Sequence, residues 1–540
     1  MSEMMKGGSF VNRYLFRGVL TAHAPFHIGS GGTVTMTDDD NNQLLIAAVV
    51  TDRGGIPYIP GSSLRGAMRD WLSRVFGEKD REDKELKSVL KGSFASEIAV
   101  KQTRMERLFG TVYGEGKIEI WDAPCISAVD TPSHSHWSGW DRDRLTYVAK
   151  SVAISPETGT AEDKKLYNFE LVPEGVQFRF TVTAQNLSRE EAAIVLHALE
   201  GFNHPTDPIT LGSMTKRGFG SFRCSVTEVY RLSNSDVSEW MRLVADDDRA
   251  GFESICRSEF RLEAEDVNEL KRLVSLSAPR RTVLRKRWDV TLETPLVVRS
   301  GGKFGWRNSS HSKTRNFNMR FRWGAESGEL DDISDLYFSI RVNGNDAVPY
   351  YHIPSSSIRG ALRAWTIKHL LPESWWNIEK ALKEHVRQNT SAPLPLNLDS
   401  ILSLFGFVVN TGNKDIDRKY THAGRLAIKV EPFSESAPRP YIDGSWADNQ
   451  PGDSPANAKR HIKSRNPLDR VTNAAKDGGL HSFLEFSSGQ SFRLDIIIED
   501  PDDFDREIVD RWRKDINAGM LRFGALYSVG RGRVSISEEA

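Results

Sequence analysis

The sequence predicts an α+β fold built twice in one chain. Three observations carry this: residue blocks that recur in order, stretches that alternate with the strand period, and one apolar stripe at helical spacing in each copy. Ile59-Pro-Gly-Ser-Ser-Leu-Arg-Gly-Ala-Met-Arg69 recurs as Ile353-Pro-Ser-Ser-Ser-Ile-Arg-Gly-Ala-Leu-Arg363. Leu108-Phe-Gly110 recurs as Leu404-Phe-Gly406. Thr158, Phe169, Gly175 and Phe178 recur as Thr472, Phe483, Gly489 and Phe492. Gly212, Gly218 and Gly220 answer Gly524, Gly530 and Gly532, and Gly31-Gly32 answers Gly301-Gly302. Blocks repeated in the same order mark a duplication. The repeats span roughly 12–232 and 284–540, with a connector over 233–283.

Leu171 to Thr183 and Ser491 to Glu499 alternate apolar and polar residues, the former after a Gly turn, and predict half-buried strands. A helix follows each Ile-Pro block, with Leu64, Met68, Trp71 and Leu72 on one face, matched by Ile358, Leu362 and Trp365. Ser62 or Ser63 is the expected N-cap. One long helix on an antiparallel sheet is an α+β layer architecture. The second repeat gains 24 residues between its glycine pair and its Ile-Pro block, and 18 more after Leu-Phe-Gly. Such gains collect in surface loops.

Composition narrows the class. The chain has 540 residues, 72 Lys+Arg and 73 Asp+Glu, enough length for large cores. The longest apolar run, Leu44 to Val50, is far short of the ~20 residues of a membrane helix. Three scattered cysteines, none spaced as CxxC, exclude a disulfide scaffold and a cysteine zinc site, and point to a reducing cytoplasm. No membrane partner is expected.

The near-zero net charge hides an uneven distribution. Residues 234–270 carry eleven acidic and four basic side chains, with Trp240, Leu243, Val244, Phe252 and Ile255 at helical spacing. They read as a helical connector with a solvated acidic face. Residues 280–322 carry twelve basic and two acidic side chains with interleaved aromatics, among them Lys303, Arg307, Arg320 and Arg322. Basic groups neutralise phosphates and aromatics stack on unpaired bases, so this stretch is a candidate RNA-binding segment.

Arg65 and Arg69 stand four apart beside a helix start, as do Arg359 and Arg363. Free N–H groups, the dipole and two guanidiniums suit a phosphodiester. Each repeat ends in a Gly-x-Gly turn beside basic residues: Lys216-Arg217-Gly218-Phe-Gly220 and Gly530-Arg531-Gly532-Arg533. Such a turn either cradles a phosphate or is a plain hairpin.

The paired blocks resemble the RAMP superfamily of CRISPR-associated proteins, in particular the backbone (Cas-seven-type) subunits of type III effectors. The resemblance rests on His27-Ile-Gly-Ser-Gly-Gly32, Pro57-Tyr-Ile-Pro-Gly-Ser-Ser-Leu-Arg-Gly66, Leu108-Phe-Gly110, Thr158-Gly159 and Gly218-Phe-Gly220. Two such units in one chain resemble the duplicated backbone subunit of type III-D. The resemblance implies two tandem ferredoxin-like (RRM-like) domains with thumb-like insertions. It implies binding of CRISPR RNA along a filament of backbone units. It also implies cutting of paired single-stranded target RNA with Mg²⁺ or Mn²⁺. Implied partners are a large polymerase-like subunit, a guide-capping subunit, other backbone subunits and small helical subunits.

The family uses one Asp in the loop before the Ile-Pro block. In the second repeat Asp335 is the candidate, with Asp331 and Asp332 beside it. In the first, Leu45 to Thr51 contains no Asp, and Asp38, Asp39 and Asp40 lie a few residues earlier. The first unit is therefore read as inactive or served by that trio. A lone carboxylate makes chemical sense, because RNA supplies its own nucleophile, the 2′-hydroxyl, and a carboxylate with Mg²⁺ or Mn²⁺ among arginines supplies the base and the charge neutralisation. Histidine acid–base chemistry through His27, His134 or His136 is the competing reading, and a scaffold without catalysis is the alternative function.

Overall fold

A computed structural model of the chain describes residues 10–37, 43–77, 102–111, 114–133, 139–244, 251–276, 282–303, 333–387, 393–408, 412, 414–431, 460–465, 468–472, 474 and 481–538. The first repeat runs β1 (Asn12–Ala22), α1 (Gly61–Phe76), β2 (Ile118–Ile120), β3 (Gln177–Gln185), α2 (Arg189–Glu200) and β4 (Phe222–Ser233). Its sheet has the order β4-β1-β3-β2, with antiparallel neighbours. The second repeat runs β5 (Val283–Leu292), α3 (Ser355–Leu370), β6 (Leu426–Glu431), β7 (Ser491–Glu499), α4 (Asp503–Asn517) and β8 (Val534–Glu538). Its order, β8-β5-β7-β6, is the same topology. A β-α-β-β-α-β run with this strand order is ferredoxin-like, so the predicted fold class holds in both halves.

Apolar alternation places one sheet face under the helices. Tyr14, Phe16 and Leu20 on β1 join Leu64, Met68, Trp71 and Leu72 of α1 in one buried core. Ile358, Leu362 and Trp365 of α3 occupy the matching core of repeat two. One local expectation is corrected. Neither Ser62 nor Ser63 caps α1; Pro60 holds the N-cap position, and Asp122 Oδ1 accepts from Gly61 N at 2.7 Å. A carboxylate 61 residues away thus replaces the local hydroxyl. The strand read within Leu171–Thr183 follows its glycine turn, running Gln177–Gln185 after Gly175 with φ +89°, while Leu171 ends the preceding strand.

Each repeat has a second long helix that apolar spacing alone does not reveal. Ser188 and Glu191 form a reciprocal capping box that starts α2. Asp502 and Asp505 do the same for α4. The Ser-x-x-Glu spacing is the signal the sequence offers for the first of them.

A second four-stranded sheet rises from each repeat. In repeat one its order is Gly29–Thr37, Gln43–Val49, Ala161–Leu171, Tyr147–Ile154. In repeat two it is Arg299–Lys303, Ile333–Leu336, His481–Phe486, Arg460–Arg465. The central pair is parallel in both.

The connector wraps β4. Phe260 and Ile255 bury against Leu15, Tyr230 and Leu232 on the sheet face away from α1. Leu262 N donates to Val229 O at 2.8 Å, which covers part of the sheet edge. Arg17 pairs with Glu253, and Phe252 lies 4.8 Å from Trp121. Of the apolar positions read from the sequence, Ile255 is buried here, and Trp240, Leu243 and Phe252 pack partly buried against the same cluster.

The repeats interlock. A hairpin of repeat two, Phe338–Asn343 with Asp346–Tyr351, sends Phe338, Ile340, Val342 and Ala347 into the core of repeat one. Glu174 accepts from Tyr350 Oη at 3.0 Å and from Arg341 Nη2 at 3.1 Å. Val342 N donates to Glu174 O at 2.7 Å, and Ala347 N to Thr131 Oγ1 at 2.9 Å.

Candidate nucleic-acid interface

The recurring arginines and the recurring Leu-Phe-Gly blocks meet. Arg65 donates to Phe109 O, at the C-terminus of helix Arg104–Phe109, and lies 6.0 Å from the Phe109 ring. Arg359 repeats this, donating to Phe405 O at the end of helix Leu398–Phe405, 5.8 Å from the Phe405 ring. Helix ends leave carbonyls without partners, and a cation there satisfies one of them. The first arginine of each pair therefore ties the helix start to the Leu-Phe-Gly loop. This contact accounts for the joint recurrence of two distant blocks.

The second arginine of each pair stands one turn deeper. Arg69 Nη1 reaches Gly110 O at 3.5 Å, and Arg363 lies 5.3 Å from the Phe407 ring. In repeat one, Arg65, Arg69, Phe109, Gly110, Thr111, Gly114, Glu115 and Gly116 line a surface pocket of about 370 Å³. Burial, then the Arg69 charge, holds the Arg65 pKa below its usual value. Burial pushes Arg359 down further, to about 10, with Arg363 and Arg217 adding to it. Crowded guanidiniums of this kind favour an incoming anion.

The Gly-x-Gly turns have divided roles. A β-carbon on Gly220 would stand 2.0 Å from Leu211 O, and one on Gly532 2.0 Å from Phe523 O. Close backbone approach within the turn is enough to require glycine at both places. Gly218 lies against repeat two, whereas a β-carbon on Gly530 would meet nothing within 4 Å. Lys216 pairs with Glu499, and Arg217 Nη1 donates to Tyr167 Oη at 2.5 Å. Arg531 pairs with buried Glu485 at 3.0 Å, and Arg533 with Glu293 at 2.5 Å. These last two cations already have carboxylate partners.

Asp335 lies in the strand Ile333–Leu336, not in a loop as the resemblance implies. Its place in repeat one follows from register. Ser334 pairs with Phe483 as Ala47 pairs with Phe169, and Arg299 pairs with Leu336 as Gly29 pairs with Val49. Asp335 thus corresponds to Ala48. Asp331, Asp332, Asp38, Asp39 and Asp40 lie outside the described residues, as do Arg307, Arg320 and Arg322. Lys303 ends the strand Arg299–Lys303. His27 is buried, with Nδ1 2.8 Å from Glu170 O, and His134 and His136 lie outside the described residues. Among the described residues no three His, Cys, Asp or Glu side chains form a metal site, and no helix is long and apolar enough to cross a membrane.

A family model for the RAMP superfamily matches residues 19–223 and 289–535, most of both repeats. The chain belongs to the RAMP superfamily. This RAMP protein is accordingly of a CRISPR-associated, RNA-binding kind. No curated protein matches the chain.

The helix-capping role of the first arginine in this RAMP protein is testable without RNA. Arg359→Ala should cost about 2 kcal/mol, because Phe405 O and the Phe405 ring lose their cation together. Thermal melting of the RNA-free protein reads this; an unchanged melting temperature would remove the capping role.

Proposed function

We propose that this RAMP protein is a CRISPR RNA-binding backbone subunit of a type III effector complex, of the III-D kind. In this reading it works in the cytoplasm with the large polymerase-like, guide-capping, backbone and small helical subunits. Its second repeat cuts guide-paired single-stranded target RNA with the help of Mg²⁺ or Mn²⁺, Asp335 being the carboxylate involved.

The observation that carries the subunit reading is the polarity of the joint between the repeats. The repeat-one turn and Gly175 are covered by repeat two, while their counterparts, Gly530 and Gly489, have open space beside them. A head-to-tail contact that leaves its counterpart surfaces free can continue from one copy to the next. Both repeats also present a helix start with paired arginines, giving regularly spaced places for one RNA strand.

Cutting would proceed by attack of a ribose 2′-hydroxyl on the adjacent phosphorus, with the 5′-oxygen of the next nucleotide leaving. The products carry a cyclic phosphate and a 5′-hydroxyl. The protein's task is to splay the strand into line and to neutralise the phosphate.

The test is a reconstituted complex carrying guide RNA and a guide-matched target, with and without EDTA. The proposal expects guide retention in both and regular cuts only without EDTA. Retention without any cut would leave the scaffold function. Loss of guide retention would overturn both.

A further inference from the structure

Three arginines stand near enough where the repeats join for the Arg217 charge to act on Arg359 and Arg363. The turn Thr215–Arg217 of repeat one sits at the start of α3 in repeat two. A β-carbon on Gly218 would stand 2.8 Å from Ser355 Oγ and 3.3 Å from Ile428 O. Arg217 precedes that glycine, so the fold delivers it to the α3 start, where Tyr167 Oη steadies it. Arg359 and Arg363 lie one and two turns into α3.

Among the described residues, no salt bridge cancels their positive charge. Arg359 spends one nitrogen on Phe405 O, but its Nε is buried with no hydrogen-bond partner. The first turn of α3 carries no acidic residue and no side-chain cap. The Arg217 charge acts on both α3 arginines, and Glu162 is the carboxylate whose charge acts on Arg363. Like charges gathered on a partly buried helix start are costly until an anion arrives.

We infer that Arg217 of the first repeat and Arg359 and Arg363 of the second form a single phosphodiester-binding site, shared by both repeats and confined to the seam inside the chain. It rests on the RNA-binding reading above and adds where the grip is strongest. The confinement follows from the sequence of the second turn. Ser528 and Val529 stand where the first turn has Lys216 and Arg217. A seam between two copies would bring Val529, not a third cation, toward Arg65 and Arg69. The grip on an RNA strand would therefore alternate, strong within each chain and weaker between chains.

The test uses full-length protein and a fluorescein-labelled oligouridine strand, with Kd measured over a salt series. Arg217→Gln and Arg363→Gln should each flatten the slope of log K against log[salt] by about 0.7, the value for one lost contact to a single strand. Affinity at low salt should fall about tenfold. Arg217→Lys keeps the charge and should keep the slope. Glu162→Gln, which removes no cation, should tighten binding about threefold at low salt. A wild-type slope in Arg217→Gln, or weaker binding in Glu162→Gln, overturns the site. If the wild-type protein ignores oligouridine at every salt concentration, the RNA-binding reading falls as well.

Discussion

Gly175→Ala is expected to break the joint between the repeats and destabilise the whole chain by more than about 3 kcal/mol. Gly175 has φ +89°, and a β-carbon there would stand 1.9 Å from Val342 O and 2.9 Å from Val342 C. Backbone cannot yield as the tip of a flexible side chain can. The hairpin would have to withdraw, and with it Ile340 and Val342 from the repeat-one core, and Arg341 and Tyr350 from Glu174. Leaving the Glu174 carboxylate short of partners adds to the cost. The chain supplies its own control. Gly489 is the counterpart in repeat two, with φ +84° and nothing within 4 Å of its β-carbon position. Gly489→Ala should cost only the left-handed backbone strain, about 1–2 kcal/mol. Urea midpoints of the two variants measure the difference. Equal losses would mean that the hairpin contact contributes nothing.

Asp335→Ala is expected to abolish one cut in a guide-matched target while guide RNA remains bound. The loss at that position should reach about 100-fold or more, the usual scale for a missing acid–base or charge-stabilising group. A gel of end-labelled target resolves it, because under the proposed function the active unit of each chain would cut at its own place. The same register that puts Asp335 in the strand Ile333–Leu336 puts Ala48 at the equivalent position of repeat one. Repeat one therefore offers no carboxylate there. An unchanged set of products from Asp335→Ala would sink the assignment and move attention to Asp331 and Asp332.

Much of the fold is legible without coordinates. The recurring blocks mark two copies of one unit, and the strand and helix periods identify β3, β7, α1 and α3. The packed side of the connector follows from Trp240, Leu243, Phe252 and Ile255. The misses share a cause. Local spacing assigns the α1 cap to a neighbouring serine because nearby pairing is all that spacing shows, whereas Asp122 arrives from beyond the end of β2. The second helices carry their signal in Ser188–Glu191 and Asp502–Asp505, which apolar periodicity does not weigh.

The candidate site divides in the same way. Residue order alone establishes the duplication and which arginines and glycines recur, while the ferredoxin-like fold is only what the family resemblance implies. What each of them touches is settled by packing. Folding turns Arg65 and Arg359 toward carbonyls more than forty residues away, and pairs Arg531 and Arg533 with Glu485 and Glu293. It also packs the turn that carries Arg217 against the start of α3, at Ser355. The physical reason is range. Period and propensity act over a few residues, while a guanidinium's partner is set by packing between elements distant in the chain.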